Sequence, residues 1–120
     1  FLSLIELGLM GSDEFPYTNG QLTPSTVNGL STGLKMASAI TVNTVHGDAE
    51  GIAAVQKLFP ADLESMEGAA FFYACMMKNI PCVQVRAVSN YVEPRNRAAW
   101  QIKPALENLW SEVGRIISNC

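Results

Sequence analysis

Two polar residues lie where an α/β protein usually binds its ligand. The acid Glu67 falls on the first turn of an apolar helical stretch, and the amide Asn90 directly follows an apolar strand pattern. Ligands of open α/β sheets bind in the crevice beyond the carboxyl ends of the strands. We therefore expect Glu67 and Asn90 to lie at a binding site on that edge of a sheet.

Glu67 has the chemistry to hold a sugar. The free amides and the dipole of a helix N-terminus favour an ionised carboxylate, and Ser65 is a plausible N-cap for the same helix. A carboxylate can accept two hydrogen bonds at once, which suits the vicinal hydroxyls of a ribose. First-turn acids that simply face water are also common, and the pattern leaves both interpretations open.

Asn90 has the chemistry to hold a base, because its amide can donate to ring nitrogens and carbonyl oxygens. It is also compatible with an ordinary turn asparagine. Arg86 lies inside an apolar strand pattern and needs a partner if it is buried. Glu64, Glu67 or a ligand could supply that partner.

Apolar and basic side chains surround these residues in the sequence. Met66, Tyr91 and Trp100 either line a pocket or belong to the core. Arg95 and Arg97 lie in an irregular stretch, where they either meet an anionic substituent of a ligand or stay solvated. Spacing does not separate these alternatives.

The composition indicates one ordinary globular domain. The chain has 120 residues, of which 48% are hydrophobic, and a net charge of -3 with acids and bases interspersed. This distribution argues against a nucleic-acid-binding surface. No apolar run approaches the ~20 residues that span a bilayer, and no secretory signal opens the sequence, so we expect no membrane contact.

The three cysteines, Cys75, Cys82 and Cys120, have no Cys-x-x-Cys spacing. Cys75 falls in an apolar helical stretch and Cys82 in an apolar strand pattern, which favours buried, reduced thiols in a cytoplasmic protein. The chain has one histidine, His46. This argues against a His-based metal site or a Ser-His-Asp triad, and we expect His46 to support a turn rather than transfer a proton.

Periodicity and turn residues predict alternating helices and strands, which indicates an α/β fold. Asp48 is a suitable helix N-cap, Pro60 and Pro81 end helices, and Pro104 suits a first helical turn. The predicted elements are a short helix or strand over 1–10, a long loop without sustained periodicity over 11–33, a strand over 37–45, a helix over 48–59, a short extended link or strand over 62–66, a helix over 67–79, a buried strand over 82–89, an irregular loop over 90–99 and a helix over 103–118. The core stripe predicted for the last helix comprises Leu106, Leu109, Trp110, Val113, Ile116 and Ile117.

Residues 66–70, Met-Glu-Gly-Ala-Ala, resemble the Met-Glu-(Gly/Ala)-x-Ala segment of the purine nucleoside phosphorylase and nucleosidase superfamily. In that family the glutamate, here Glu67, holds the ribose hydroxyls. Residues 85–90 resemble the strand that ends in Ser-Asp in methylthioadenosine/adenosylhomocysteine nucleosidases, where the aspartate assists protonation of the leaving adenine. This sequence departs from the pattern, because Asn90 stands in place of the aspartate.

Residues 64–73 and 89–96 are most similar to the futalosine hydrolase branch of that superfamily. Its reaction releases hypoxanthine from futalosine, with dehypoxanthinylfutalosine as co-product, in an alternative route to menaquinone. Hypoxanthine presents two acceptors, O6 and N7, toward which an asparagine amide can donate, whereas an ionised aspartate would repel the carbonyl oxygen. Asn90 therefore favours a 6-oxopurine.

The resemblance implies a three-layer α/β/α fold with a central mixed sheet, of which residues 1–120 form the C-terminal part of a single domain. It implies no cofactor, a small-molecule purine nucleoside as substrate, and a homo-oligomer. Because the chain begins with Phe1 and has an interior-like start, we expect it to belong to a longer protein. The N-terminal half of the family fold supplies the acid that activates water.

The resemblance also implies roles for individual residues. Glu67 and Asn90 are the expected catalytic residues. Met66 packs beneath the sugar, and Trp100 closes the pocket over the ribose 5′ substituent. The remaining expected substrate-binding residues are Thr44 and Val45 at the base pocket, Ser89, and Arg86.

Three other functions compete with this prediction. A methylthioadenosine/adenosylhomocysteine nucleosidase differs in releasing adenine, and a purine nucleoside phosphorylase differs in requiring phosphate. A ligand-binding or dimerising module without catalysis is a third possibility. It would be stabilised by ligand and would release no base.

Overall fold

The computed structural model describes residues 5–119. The chain divides into two compact units, each described here by itself. The first contains the residues up to Asn28 together with Glu67–Val83, and the second contains Gly29–Met66 together with the residues from Gln84 onward. The described residues form a mixed α/β structure with two small sheets and three α-helices.

The first unit contains a β-hairpin formed by β1 (Tyr17–Thr18) and β2 (Gln21–Leu22). Its two-residue turn, Asn19-Gly20, has positive φ angles of 49° and 73°, as a hairpin turn of the primed type requires. The Asp13 carboxylate accepts a hydrogen bond from the Asn19 amide at 2.9 Å. The prediction of an irregular loop over 11–33 was therefore wrong here, because an Asn-Gly pair is itself a hairpin signal.

The first unit also contains the helix α2 (Gly68–Met77). It ends in a Schellman motif, in which the amide of Asn79 donates to Met76 and that of Ile80 donates to Cys75. Asn79 has a left-handed φ of 53°, and Pro81 follows. The predicted helix over 67–79 is confirmed to within two residues at its C-terminal end.

Two thiols lie near each other at the end of the first unit. Cys75 and Cys82 are both free, and Cys82 is buried. Burial and a hydrogen bond with Cys75 raise the pKa of the Cys82 thiol above its usual range. The expectation of a buried thiol is confirmed for Cys82, whereas Cys75 is only half-buried. Cys120 and residues 1–4 of the predicted first element lie outside the described residues.

The second unit is built on a β-α-β element. Strands β3 (Ala39–Thr41) and β4 (Leu63–Ser65) pair in parallel, with Ile40 opposite Glu64, and α1 (Ala49–Leu58) connects them. Asp48 caps α1 by accepting a hydrogen bond from the Gly51 amide at 2.7 Å. The predicted helix over 48–59 and extended link over 62–66 are confirmed, whereas the strand over 37–45 is shorter than predicted.

Apolar side chains directly after β3 and on α1 form the small core of this element. Val42, Ile52 and Val55 are its buried members. The amide of Val42 donates to the Ser65 carbonyl at 2.8 Å, which extends the contact between the strands past β3. Residues 43–45 then leave the strand direction, so Thr44 and Val45 lie beyond the sheet.

The predicted buried strand over 82–89 is not present as a strand. Within the second unit, residues 84–89 have no regular secondary structure and form no ladder with another described strand. Val88 is exposed, and Ser89 instead accepts a hydrogen bond from the Gln101 amide at 2.7 Å. An apolar sequence becomes a strand only when a neighbouring strand pairs with it, and none does within residues 5–119.

The longest helix, α3 (Ile102–Ser118), begins one residue before its predicted start and has Pro104 in its first turn. Its buried residues are Ala105 and Ile116. The predicted core stripe was correct for Ile116 and for the half-buried Leu109 and Val113, but wrong for three members. Those three, which no described element covers, are Leu106, Trp110 and Ile117.

No helix among residues 5–119 is long and apolar enough to cross a membrane. This agrees with the absence of a long apolar run in the sequence.

A polar contact at the start of the strand pair gives the second unit a testable pH dependence. The Asp62 carboxylate accepts hydrogen bonds from the amide and the hydroxyl of Ser38, both at 2.9 Å. These bonds hold the pKa of Asp62 below its usual value, with the backbone donor as the larger cause. A depressed carboxylate pKa stabilises the folded state above the unfolded pKa, and this stabilisation is lost as pH falls through the folded pKa.

We therefore expect Asp62→Ala to lower the melting temperature at pH 7 by a few degrees. The difference from the wild-type protein should shrink as pH falls below about 4, the usual range of an aspartate. Thermal denaturation across pH 2–7 tests this, with Glu93→Ala as a control for loss of an exposed acid. An equal difference at every pH would contradict the role given to the Asp62 carboxylate.

Candidate functional site

The second unit contains a cavity of about 510 Å³. Its walls come from β3, α1, β4, residues 86–92 and Trp100. A smaller cavity of about 30 Å³ adjoins the turn after β3 and the loop after Asn90, and it shares His46, Asn90 and Trp100 with the larger one. Cavities of several hundred Å³ are of the size that binds small molecules.

Most of the predicted substrate-binding residues lie together on the walls of the larger cavity. Thr44 is not among the lining residues, although its neighbour Val45 is. Glu67 belongs to the first unit and is considered below. The predicted residues that line the cavity are Val45, Met66, Arg86, Ser89, Asn90 and Trp100, and Tyr91 joins them.

Asn90 is oriented by two hydrogen bonds with its sequence neighbours. Its Oδ1 accepts from the Ser89 hydroxyl at 2.7 Å, and its Nδ2 donates to the Tyr91 carbonyl at 2.9 Å. An amide nitrogen carries two hydrogens, and the second has no acceptor among residues 5–119. The side chain is therefore fixed at the cavity wall with one donor remaining for a ligand.

Trp100 is placed beside Asn90 by the main chain. The Gln101 amide donates to the Ser89 carbonyl, which joins the start of α3 to the residue before Asn90. The Arg97 guanidinium lies 6.0 Å from the centre of the Trp100 ring, at the outer limit of a cation–π contact. Arg97 begins the short 3-10 helix Arg97–Ala99, so the stretch predicted to be irregular is partly ordered.

Arg86 is not paired with Glu64. Its Nε and Nη2 both donate to Gln84 Oε1, at 2.9 and 2.6 Å, and its side chain is exposed. An exposed guanidinium keeps its hydration, so it does not need the buried anionic partner that the apolar strand pattern suggested. Arg86 thus lines the cavity as a solvated cation.

His46 and Glu64 form the most buried contact between a basic and an acidic side chain among the described residues. His46 Nδ1 lies 2.8 Å from Glu64 Oε2, and the His46 amide donates to Glu64 Oε1 at 3.3 Å. The exposed fractions of the two side chains are 11% and 9%. Sequence reasoning considered Glu64 only as a partner for Arg86, and it missed this pair because the two residues lie 18 positions apart.

Glu67 precedes α2 and is exposed. It occupies the N-cap position but makes no side-chain capping hydrogen bond. The alternative N-cap, Ser65, instead lies in β4 and donates to the Ile40 carbonyl at 3.4 Å. The expectation of Ser65 as the cap was therefore wrong, because strand pairing holds that residue.

No group of three or more His, Cys, Asp and Glu side chains within residues 5–119 is arranged to hold a metal ion.

The sequence matches the family model described as Phosphorylase superfamily over residues 31–118. The chain belongs to the phosphorylase superfamily. The matched range contains the whole strand pair, all three helices and every residue that lines the larger cavity. The superfamily comprises enzymes that act on nucleosides.

Two curated relatives of this chain are both named futalosine hydrolase. A futalosine hydrolase of Thermus thermophilus is 37% identical over 106 residues, which cover 88% of this chain and 46% of that protein. A futalosine hydrolase of Streptomyces coelicolor is 39% identical over 87 residues, covering 72% of this chain and 37% of that protein. The chain thus spans less than half the length of these relatives. No solved structure matches it significantly.

Proposed function

We propose that the protein to which this chain belongs hydrolyses the N-glycosidic bond of futalosine and releases hypoxanthine. The membership of the phosphorylase superfamily and the two similar futalosine hydrolases support this proposal. The observation that carries it is the amide of Asn90, which is held at the cavity wall with one donor remaining. That donor suits the O6 and N7 acceptors of a 6-oxopurine.

The other residues of the cavity wall have side chains that suit the parts of a bound nucleoside. Val45 and the neighbouring Thr44 would contact the base, Met66 would pack beneath the sugar, and Trp100 would cover the 5′ substituent. Ser89 holds the Asn90 amide, and its own contact to substrate remains a prediction. The exposed guanidinium of Arg86 would meet an anionic part of the ligand.

Glu67 would hold the ribose hydroxyls and stabilise the positive charge that develops on the sugar. Glycoside cleavage passes through an oxocarbenium-like state, and a carboxylate near the sugar lowers its energy. The exposed Glu67 carboxylate makes no capping bond to its own helix, so helix capping does not occupy it.

The broader expectations rest on the family resemblance. We expect a homo-oligomer in the cytoplasm that needs no cofactor. We also expect the acid that activates water to lie in a part of the protein that this chain does not include.

The test is detection of free base by chromatography after incubation of the full-length protein with futalosine, inosine or methylthioadenosine. Each substrate is given with and without phosphate. We expect hypoxanthine from futalosine without phosphate. Adenine from methylthioadenosine would instead indicate a nucleosidase of the adenine type, and release only with phosphate would indicate a phosphorylase.

Asn90→Asp should shift the ratio of kcat/KM values toward adenine nucleosides by roughly tenfold to a hundredfold. The new carboxylate would repel O6 of hypoxanthine but could accept from the amino group of adenine. Asn90→Ala is the control, because it should lower activity on both bases without reversing the preference. An unchanged ratio in Asn90→Asp would make Asn90 merely structural.

Glu67→Gln should lower kcat by roughly 10²–10³-fold, because a neutral amide stabilises the charged transition state less well. Glu50→Gln is a matched control, since Glu50 is also an exposed acid at the start of a helix and has no proposed contact with substrate. Circular dichroism checks that both variants fold. Near-normal kcat in Glu67→Gln would contradict the ribose-holding role.

A further inference from the structure

One side of α3 is apolar and open to solvent. Its large side chains are those of Ile102, Leu106, Trp110 and Ile117, whose exposed fractions are 50%, 60%, 83% and 68%. Their spacing of four, four and seven positions places them on the same side of the helix. We call these four residues the apolar stripe of α3. A soluble protein rarely leaves such a row of large apolar side chains open to water, so we expect another surface to cover it.

The described part of the second unit does not supply that surface. α3 buries Ala105 and Ile116, each of which directly precedes a residue of the stripe. No other helix or strand of the described second unit packs extensively along α3. Besides these two residues, the buried apolar side chains of the unit are Val42, Ile52 and Val55, which belong to the β-α-β element. The stripe therefore lies beside a small core and is not part of it.

The charged residues of α3 indicate the chemistry of the covering surface. Lys103 Nζ lies 3.9 Å from Glu107 Oε1, and Arg115 Nη2 lies 2.8 Å from Glu112 Oε2. Each charge of the helix thus has a partner on the same helix, and the helix has no net charge. Nucleic acids and anionic lipid surfaces attract helices that have an excess of basic residues, which α3 lacks. The stripe therefore suits an apolar protein surface.

The relatives indicate where such a surface can come from. The two futalosine hydrolases match this chain over 46% and 37% of their own lengths, so more than half of each relative lies outside the match. A segment of the same polypeptide has a high effective concentration beside α3, which favours it over a second copy of the protein. The same shortage of packing surface is seen at residues 85–88, which join no β-ladder within residues 5–119 and leave Val88 59% exposed.

We propose that the apolar stripe of α3 is an internal docking surface, covered by an apolar face from the part of the same polypeptide that lies outside residues 1–120. This contact would also support the cavity. The Gln101 amide, directly before α3, donates to the Ser89 carbonyl, which joins the helix to the wall that carries Asn90 and Trp100. The inference concerns packing and does not depend on which nucleoside the protein hydrolyses.

The first test measures how readily a thiol reagent reaches α3 in the full-length protein. Leu106→Cys places a thiol in the stripe, and Ser111→Cys places one on the exposed polar side of the same helix. Both positions fall in the tryptic peptide over 98–115, which has no native cysteine, so mass spectrometry measures each site separately. We expect Leu106→Cys to react roughly tenfold or more slowly than Ser111→Cys in the native protein, and equally fast after denaturation. Fast labelling of both native variants would overturn the proposal.

A photo-cross-linker identifies what covers the stripe. In the full-length protein, p-benzoylphenylalanine replaces Trp110, the most exposed residue of the stripe. Illumination should link it to a peptide outside residues 1–120, and the product should keep the mass of one chain in a denaturing gel. A product with the mass of two chains would overturn the proposal in favour of a second copy. A link to a peptide within residues 1–120 would overturn it as well, because this chain would then cover its own stripe.

Thermal denaturation measures the contribution of the contact to stability. Leu106→Asp should lower the melting temperature of the full-length protein by roughly 5–10 °C, because it would bury a charge against apolar side chains. Ser111→Asp adds the same charge on the polar side of α3 and should lower it by no more than about 2 °C. Equally small shifts in both variants would contradict the proposal.

The milder Leu106→Cys variant and the cross-link keep the proposal testable even if Leu106→Asp fails to fold. None of these three measurements uses turnover. Failure of the wild-type protein to release hypoxanthine would therefore overturn the proposed function and leave this inference unchanged.

Discussion

The second unit depends on a parallel strand pair of three residues on each side. The hydrogen bonds of so short a ladder give it only marginal stability, so packing and side-chain contacts must add to it. Polar contacts supply that help at both ends: Asp62 binds Ser38 where the strands begin, and Glu64 binds His46 beyond the point where β3 ends. Asp62, Glu64 and His46 all line the larger cavity.

This arrangement explains why the site lies where it does. The carboxyl ends of parallel strands point to the same edge of a sheet, and the chain leaving β3 must turn there before α1 begins. Asp48 starts that helix by capping it, and the preceding turn is held by Glu64 on one side and by the loop at Arg95 on the other. The imidazole of His46 is thus well positioned beside a small sheet, because Glu64 and the loop at Arg95 fix the turn that carries it.

Local signals in the sequence predicted the helices well. Asp48 and the Pro60 stop defined α1, and Pro81 marked the end of α2, because capping and proline effects act within a few residues. Asn19-Gly20 was an equally local signal for the hairpin, and it was overlooked. Residues 84–89 were mispredicted as a strand for a different reason, since strand formation depends on a partner that the segment's own residues do not reveal.

Long-range contacts were the least predictable part of the site. Asn90 could be singled out because a polar residue at the end of an apolar run is visible in the sequence. The pairing of His46 with Glu64 could not, because it follows from the register that sets Ile40 opposite Glu64 across 24 positions. For the same reason the exposed side of α3, with Trp110 and Ile117, could not be told from its buried side by periodicity alone.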